Sequence, residues 1–359
     1  VTNLLIFALN LIMKKISIPD NINNLSHLLE DGLLFCDQYG KILFSNNLAN
    51  QYLGAKVVGQ LLYDVIKIDE FKNLSESQDN GVFGDQISYQ SDDFLKRLLI
   101  IKVKKIEENL FGVLFLDMTL QRNLEKVRRD FVANVSHELR SPLTSLVGFI
   151  ETLLKGNVEE EETRKRFLNI MDEEAKRMNR LIDDILSLSK VETEEHISPN
   201  TSISIINPIQ YVMSSIRESG LSKGKNLIFE DLRPNPNDPC FITGNIDEIN
   251  QVFVNLLENA IKYSYQRSDI IVRVEQFLSD EVSVSVINKG EGIPEKYIDR
   301  LTERFFRVDK ARSRELGGTG LGLAIVKHIL IKHRAKLDIS SVLKESTTFS
   351  IKFPLNNTK

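Results

Sequence analysis

Phe131-Val-Ala-Asn-Val-Ser-His137-Glu-Leu-Arg-Ser-Pro142-Leu-Thr144 lies inside one long apolar stripe, and that stripe decides the fold. Upstream, Leu120, Leu124, Val127, Phe131 and Val135 recur at steps of four and three with charges between them. Such spacing is one face of a helix, close to a coiled-coil seam. Downstream, Leu143, Leu146, Ile150 and Leu153 continue the pattern until Lys155-Gly156-Asn157 supplies a C-cap and a turn. The acidic run Glu159 to Glu162 suits the start of a second helix, with a stripe of Phe167, Ile170, Met171, Met178, Leu181, Ile182, Ile185 and Leu188. Two amphipathic helices on a short turn make an antiparallel hairpin with too little partner surface to bury both stripes. Pairing two hairpins into a four-helix bundle buries them, so the pattern predicts a homodimer.

Within the first helix, His137 is flanked by Glu138 and Arg140. Imidazole is a neutral nitrogen nucleophile near pH 7. A carboxylate that takes the proton from one ring nitrogen makes the other more nucleophilic, a role open to Glu138. Pro142 removes a helical hydrogen bond and should bend or loosen the helix there. Taken alone, the segment is equally readable as a surface histidine on a dimer helix.

Three further segments carry chemistry. In Asn255-Leu-Leu-Glu-Asn259-Ala-Ile-Lys262-Tyr263, the residues Asn255, Asn259 and Lys262 fall on one helical face. Amide oxygens suit Mg²⁺, and a lysine on the same face can hold triphosphate oxygens. Asparagine is a mediocre helix former, so two on one stripe suggest a functional reason. Val286-Ile-Asn288-Lys-Gly290-Glu-Gly292-Ile293-Pro294 follows a strand pattern, and its glycines allow a tight loop under a planar ligand. Gly317-Gly318-Thr319-Gly320-Leu321-Gly322 opens a helix, and backbone N–H groups at a helix start favour phosphate. A Rossmann loop would instead follow a strand early in a βαβ unit.

The rest of the chain sets the frame. It has 359 residues, 42% apolar and 27% charged, which implies two or three soluble domains. A net charge of −4 provides no bulk attraction to nucleic acid, and no direct nucleic-acid binding is expected. Cys36 and Cys240 have neither disulfide nor zinc spacing. Residues 1–23 include the apolar run Leu4 to Met13 followed by Lys14-Lys15, well short of the ~20 residues that span a bilayer. The segment reads either as a short helix packed on its own protein or as the end of a truncated membrane anchor with its lysines on the cytoplasmic side. The second reading is preferred, and it puts the remaining domains at the inner face of the plasma membrane. Residues 24–118 read as a small α+β domain with strands at Gly32–Asp37, Lys41–Ser45, Ile100–Lys104 and Gly112–Leu116. The hairpin occupies 119–197. Residues 198–359 alternate helices with strands at Asn226–Glu230, Ile270–Val274, Val282–Val286, Lys336–Ser340 and Thr348–Phe353, an α/β sandwich with helices on one face of a mixed sheet. The fold class is therefore multidomain α+β.

In this order and spacing, the four segments resemble the H, N, G1 and G2 boxes of sensor histidine kinases, nearest the phosphate-regulon-sensor-like branch. Leu301 to Arg314 is similar to the F box and ATP lid, and the segment with Asp37, Gly40, Ile42 and Asn46 is similar to a PAS domain. The resemblance implies an ATP-dependent autokinase with a catalytic α/β sandwich of the histidine-kinase/Hsp90/gyrase type. It implies that His137 is the phosphoacceptor, Glu138 its acid/base partner, and an aspartate on a response regulator receiver domain the next acceptor. Arg140 belongs to the same H box, and Ser141 stands where a polar residue would orient water for phosphatase activity. Asn259 matches the Mg²⁺ ligand, with Asn255 and Lys262 beside the phosphates. Tyr263, Asn288, Gly290, Gly292 and Ile293 match the adenine end, Phe305 and Arg307 the F box and γ-phosphate approach, and Gly318 to Gly322 the triphosphate loop. Related gyrase and Hsp90-type ATPases carry a water-activating glutamate at the position of Asn255, and an amide cannot act as that base. Asn288 replaces the commoner aspartate, which implies weaker nucleotide affinity, and Thr302 replaces an F-box phenylalanine. His333-Arg-Ala335 and Glu345-Ser-Thr-Thr348 also depart from the family pattern, away from the nucleotide. His27, His196, His328 and His333 show no carboxylate partner at a meaningful spacing, and Cys36 reads as core. The alternatives are a PAS-linked ATP-binding scaffold with little or no kinase activity and a hydrolytic ATPase.

Overall fold

The computed structural model describes residues 29–54, 56–68, 87–90, 96–107, 109–156, 160–222, 224–236, 238, 240–278, 280–309 and 317–356. The apolar run in 1–23, His27 and the lid stretch 310–316 lie outside them. The chain divides into two compact units, Val1–Asp130 and Phe131–Lys359.

In the first unit, strands β1 (Gly32–Asp37), β2 (Ile42–Ser45), β3 (Ile87–Gln90), β4 (Leu98–Glu107) and β5 (Leu110–Asp117) form an antiparallel sheet in the order β2-β1-β5-β4-β3. Alternation in β4 and β5 buries Leu99, Ile101, Val103, Phe111, Val113 and Phe115. Helix α1 (Asn47–Leu53) starts at Asn46, whose side chain accepts from the Ala49 N–H at 2.8 Å and the Leu33 N–H at 3.0 Å. A four-residue helix α2 (Leu62–Val65) follows. Cys36 is fully buried, and burial pushes its thiol pKa up to about 12, so it is core and unreactive.

The hairpin is helix α3 (Thr119–Leu154) and helix α4 (Glu161–Glu194). Helix α3 continues through Pro142, which is buried, so the proline does not end it. Between the helices the rings of Phe149 and Phe167 meet at 4.9 Å. Leu143, Val147, Ile150, Ile182 and Leu186 stay exposed on the single chain.

Beyond the hairpin, β7 (Asn226–Asp231), β9 (Asp269–Leu278), β10 (Glu281–Lys289), β11 (Lys336–Val342) and β12 (Ser346–Pro354) form a mixed sheet, order β11-β12-β10-β9-β7. Only the β7–β9 pairing is parallel. Helices α5 (Ile206–Glu218), α6 (Ile246–Tyr263) and α7 (Gly322–Lys332) share one core with it. A short ladder of β6 (Ser202–Ser204) and β8 (Phe241–Thr243) was not expected, since three-residue strands carry too little alternation to read.

The start of α6 is held unusually well. Asn245 caps it, accepting from the Asp247 N–H at 2.9 Å. The Asn245 N–H in turn donates to His333 Nε2 at 3.0 Å, while His333 Nδ1 contacts the Ile329 carbonyl at 2.7 Å. This network assigns the proton to Nδ1 and leaves Nε2 a bare acceptor. Burial holds the His333 pKa below the ordinary imidazole value, in agreement with that tautomer. The unfolded chain then binds the proton at a higher pH than the folded one, so stability is fully present above about pH 6.5 and falls as acid is added. Urea unfolding of the full chain between about pH 7 and pH 5 should show this loss. His333→Gln, which can still accept from Asn245, should have a flatter profile in that window.

Candidate functional site

The outward face of α6 forms one wall of a cavity of about 460 Å³. Ile249, Val252, Phe253, Leu256, Leu257 and Ala260 are buried on the opposite face, so the helix period turns Asn255, Asn259 and Lys262 into the cavity. Asn255 donates its amide N–H to the Gln251 carbonyl at 3.0 Å, and Lys262 pairs with Glu258 at 2.8 Å. Tyr263, the buried Asn288, Gly292, Ile293 and Arg307 continue the lining. Gly318, Thr319, Gly320 and Gly322 close it where α7 begins.

Two of the cavity-lining glycines are required by close approach. At Gly292, φ is +70° and an added Cβ would lie 2.5 Å from the Val342 carbonyl oxygen. At Gly322 an added Cβ would lie 2.6 Å from Asn255 Oδ1, so this glycine lets the loop seat against the asparagine. Gly290, Phe305 and Leu321 do not line the cavity. Gly290 backs onto the Tyr263 main chain, Leu321 is fully buried in the core, and the Phe305 N–H donates to the Gly320 carbonyl at 2.9 Å.

The hairpin supplies a further wall that its sequence did not announce: Arg180, Asp183 and Asp184 of α4 line the same cavity. The Thr319 hydroxyl donates to Asp184 Oδ2 at 2.6 Å. Burial raises the Asp184 pKa, while the Thr319 bond and nearby Lys262 oppose the rise. His137 is exposed and does not line the cavity; Arg140 and Ser141 are exposed on the same helix. Glu138 accepts from Arg177 at 3.1 Å and lies 4.0 Å from Arg307.

The segment after the hairpin also meets it through the apolar Leu181, Leu188 and Val191 and along an ionic seam. Arg304 pairs with Glu192 at 2.6 Å, and Lys332 pairs with Glu194 at 3.0 Å and Glu248 at 2.7 Å. His328 contacts Glu192 at 3.2 Å and Glu195 at 2.5 Å. The expectation that His328 has no carboxylate partner is thus corrected. Its Glu195 partner lies 133 residues earlier, a separation no local spacing rule detects. The Phe131 and Phe305 rings meet above the seam at 5.8 Å.

No group of three or more His, Cys, Asp or Glu suited to a metal occurs among the described residues. The Asn259 amide at the cavity wall is one neutral oxygen donor. Such a site fits a cation that brings phosphate and water ligands with it, as Mg²⁺ does.

Comparison with known proteins identifies two domain families along the chain. Residues 127–194 match the His Kinase A (phospho-acceptor) domain, and residues 244–357 match the histidine kinase-, DNA gyrase B- and HSP90-like ATPase family. The phosphate regulon sensor protein PhoR of Pseudomonas aeruginosa is 36% identical over 348 residues, covering 94% of this chain and 75% of PhoR. The chain belongs to the sensor histidine kinases. The sensor protein kinase WalK of Staphylococcus aureus is likewise 36% identical over 343 residues, covering 91% of this chain and 79% of that WalK. Against the WalK of strain JH9 the same alignment length covers 54% of the relative. The crystal structure of histidine kinase ThkA in complex with response regulator protein TrrA shares the fold, with a TM-score of 0.51, 24% identity, and coverage of 91% of this chain and 96% of ThkA. As a member of this family the sensor kinase is a protein-histidine kinase with a C-terminal ATP-binding segment.

The seam predicts a simple disruption. Glu192→Lys places a cation against Arg304 and His328, and should loosen the seating of the C-terminal segment on the hairpin without removing the apolar contact of Leu181, Leu188 and Val191. Energy transfer between dyes on α4 and α7 of the full chain should fall, with no change in helix content by circular dichroism.

Proposed function

We propose that this sensor kinase binds ATP in the cavity beside α6 and transfers the γ-phosphoryl group to His137. The single observation that carries the reading is the arrangement of Asn255, Asn259 and Lys262 along one wall, facing the Gly318–Gly322 turn. Lys262 and the N–H groups of that turn hold phosphate oxygens. Asn288, buried beside Tyr263 and Ile293, accepts from the adenine amino group. Asn259 holds Mg²⁺ when the nucleotide brings it, and the ion neutralises charge on the phosphates. Asn255 has no basic group with which to activate water, which favours histidine over water as the acceptor.

Because His137 lies on an exposed helix surface outside the cavity, transfer needs the catalytic segment to leave the seam and present its nucleotide to a hairpin. The imidazole attacks phosphorus in line, the bond to the ADP oxygen breaks, and the ring proton passes to Glu138. Phosphohistidine then donates to an aspartate on a response regulator receiver domain, and Ser141, one turn beyond His137, orients water in the reverse, phosphatase direction. The exposed stripe of Leu143, Val147, Ile150, Ile182 and Leu186 is covered by a second hairpin in a homodimer.

Residues 24–118 form a PAS-like sensor, a reading supported by the five-stranded antiparallel sheet with helices between β2 and β3. Residues 119–197 are the dimerisation and phosphotransfer hairpin and residues 198–359 the catalytic domain. No helix among the described residues is long and apolar enough to cross a membrane. The apolar run Leu4 to Met13 followed by Lys14-Lys15 supports a membrane anchor that holds this kinase at the inner face of the plasma membrane.

The test is incubation of the full chain with γ-labelled ATP and Mg²⁺. The expected product carries acid-labile, alkali-stable label that disappears in His137→Ala. Asn259→Ala should weaken Mg²⁺-dependent ATP binding by at least about tenfold. Release of free phosphate without labelled protein would instead mean a hydrolase, and bound nucleotide with neither product would mean a scaffold.

A further inference from the structure

Asp184 lines the nucleotide cavity from the hairpin side and has no part in the transfer chemistry. Its Oδ2 accepts from the Thr319 hydroxyl at 2.6 Å, and Thr319 Oγ1 accepts from the Leu321 N–H at 3.3 Å. A carboxylate therefore sits against the glycine-rich turn, with Lys262 near enough to act on it electrostatically. Thr319 and Lys262 both line the cavity, where they can serve phosphate oxygens. Carboxylate and phosphate are both anionic acceptors, so the Thr319 hydroxyl serves one of them at a time, and the Asp184 charge opposes a second anion beside it.

The contact exists because the seam holds α4 in place. Lys332 with Glu194, Arg304 with Glu192, and Gln251 with Ser187 at 2.7 Å all fasten the catalytic segment to this stretch of the hairpin. Asp183 adds a second carboxylate to the same wall, and Arg180 beside Gly317 offsets part of that charge. Repulsion increases with ligand charge, so a triphosphate is opposed more strongly than a diphosphate.

Given the reading of the cavity as the nucleotide site, we propose that Asp184 is a specificity-determining residue, an internal competitor for the phosphates that makes the docked arrangement favour ADP over ATP. By linkage, ATP then favours release of the catalytic segment from the hairpin to the same extent that docking disfavours ATP. After transfer, the ADP-loaded segment returns to the seam. Asp184 thus couples phosphate count to domain position without touching the reacting atoms.

The alternative is that Asp184 merely ties the loop to the helix. Asp184→Asn separates the two, since its amide oxygen can still accept from Thr319 while the charge is gone. Calorimetric titration of the full chain with Mg²⁺ and either ADP or a β,γ-imido ATP analogue gives the readout. In Asp184→Asn, the triphosphate analogue should bind about fivefold or more tighter than in the unaltered chain, with a distinctly smaller gain for ADP. Asp183→Asn, which removes the same charge one residue away without the Thr319 contact, should gain less. Equal gains for the two nucleotides, no gain, or an equal gain in Asp183→Asn would overturn the proposal. Failure of every form to bind either nucleotide would remove the cavity reading itself.

Discussion

The rotational phase of helix α6 is the constraint on which the rest of the site depends. Each residue along an α-helix turns the side chain by about 100°, so a one-residue slip would bury an asparagine and expose a leucine. Val252, Phe253, Leu256, Leu257 and Ala260 prevent that slip by filling the core above the sheet. Both ends of the helix are also pinned. Asn245 and His333 hold the first turn, and the Lys225 ammonium donates to the carbonyls of Ile261 and Ser264 at the last. A cation at that end also complements the helix dipole. Asn255, Asn259 and Lys262 owe their common direction to apolar residues that never touch the cavity.

The hairpin seam obeys a different logic. Its acids, Glu192, Glu194 and Glu195, lie together at the end of α4, and its bases come from the F box and α7. Burial alone would lower the Lys332 pKa, but the Glu248 and Glu194 carboxylates outweigh it and raise it, so the amine stays charged. Arg304, His328 and their glutamates are partly exposed, and such pairs bring little net stability, whereas Lys332 is buried and Leu181, Leu188 and Val191 of the hairpin share an apolar core with the C-terminal segment. The seam therefore joins weak ionic contacts to an apolar one, and both must part in the proposed transfer to His137.

Much of this was legible in the sequence. The hairpin stood out because two long 3.6-residue stripes have no simpler explanation, and the five strands of the mixed sheet were marked by β-branched alternation. The α6 face followed from spacing alone, since Asn255, Asn259 and Lys262 are four and three apart. What was not legible depends on contacts across the chain. Asp184 and Arg180 read as ordinary charged positions on a solvated helix face until the catalytic segment is placed against them. His328 finds its carboxylates only through tertiary packing, and His333, in a turn noted only as a departure from the family pattern, holds the N-cap residue of α6 from across the core. Strand Ile87–Gln90 was missed because four residues with only half-buried alternation resemble a loop.

The central claim is that the imidazole of His137 receives phosphorus from a nucleotide held beside α6. Fragmentation mass spectrometry of peptides from the full chain, digested under alkaline conditions after brief exposure to Mg²⁺-ATP, addresses that claim most directly. The account predicts a phosphorylated peptide spanning Phe131 to Arg140 with the added mass localised on the histidine side chain. Phosphate found only on another residue, or an unmodified His137 peptide from chain shown to be folded and saturated with nucleotide, would contradict it.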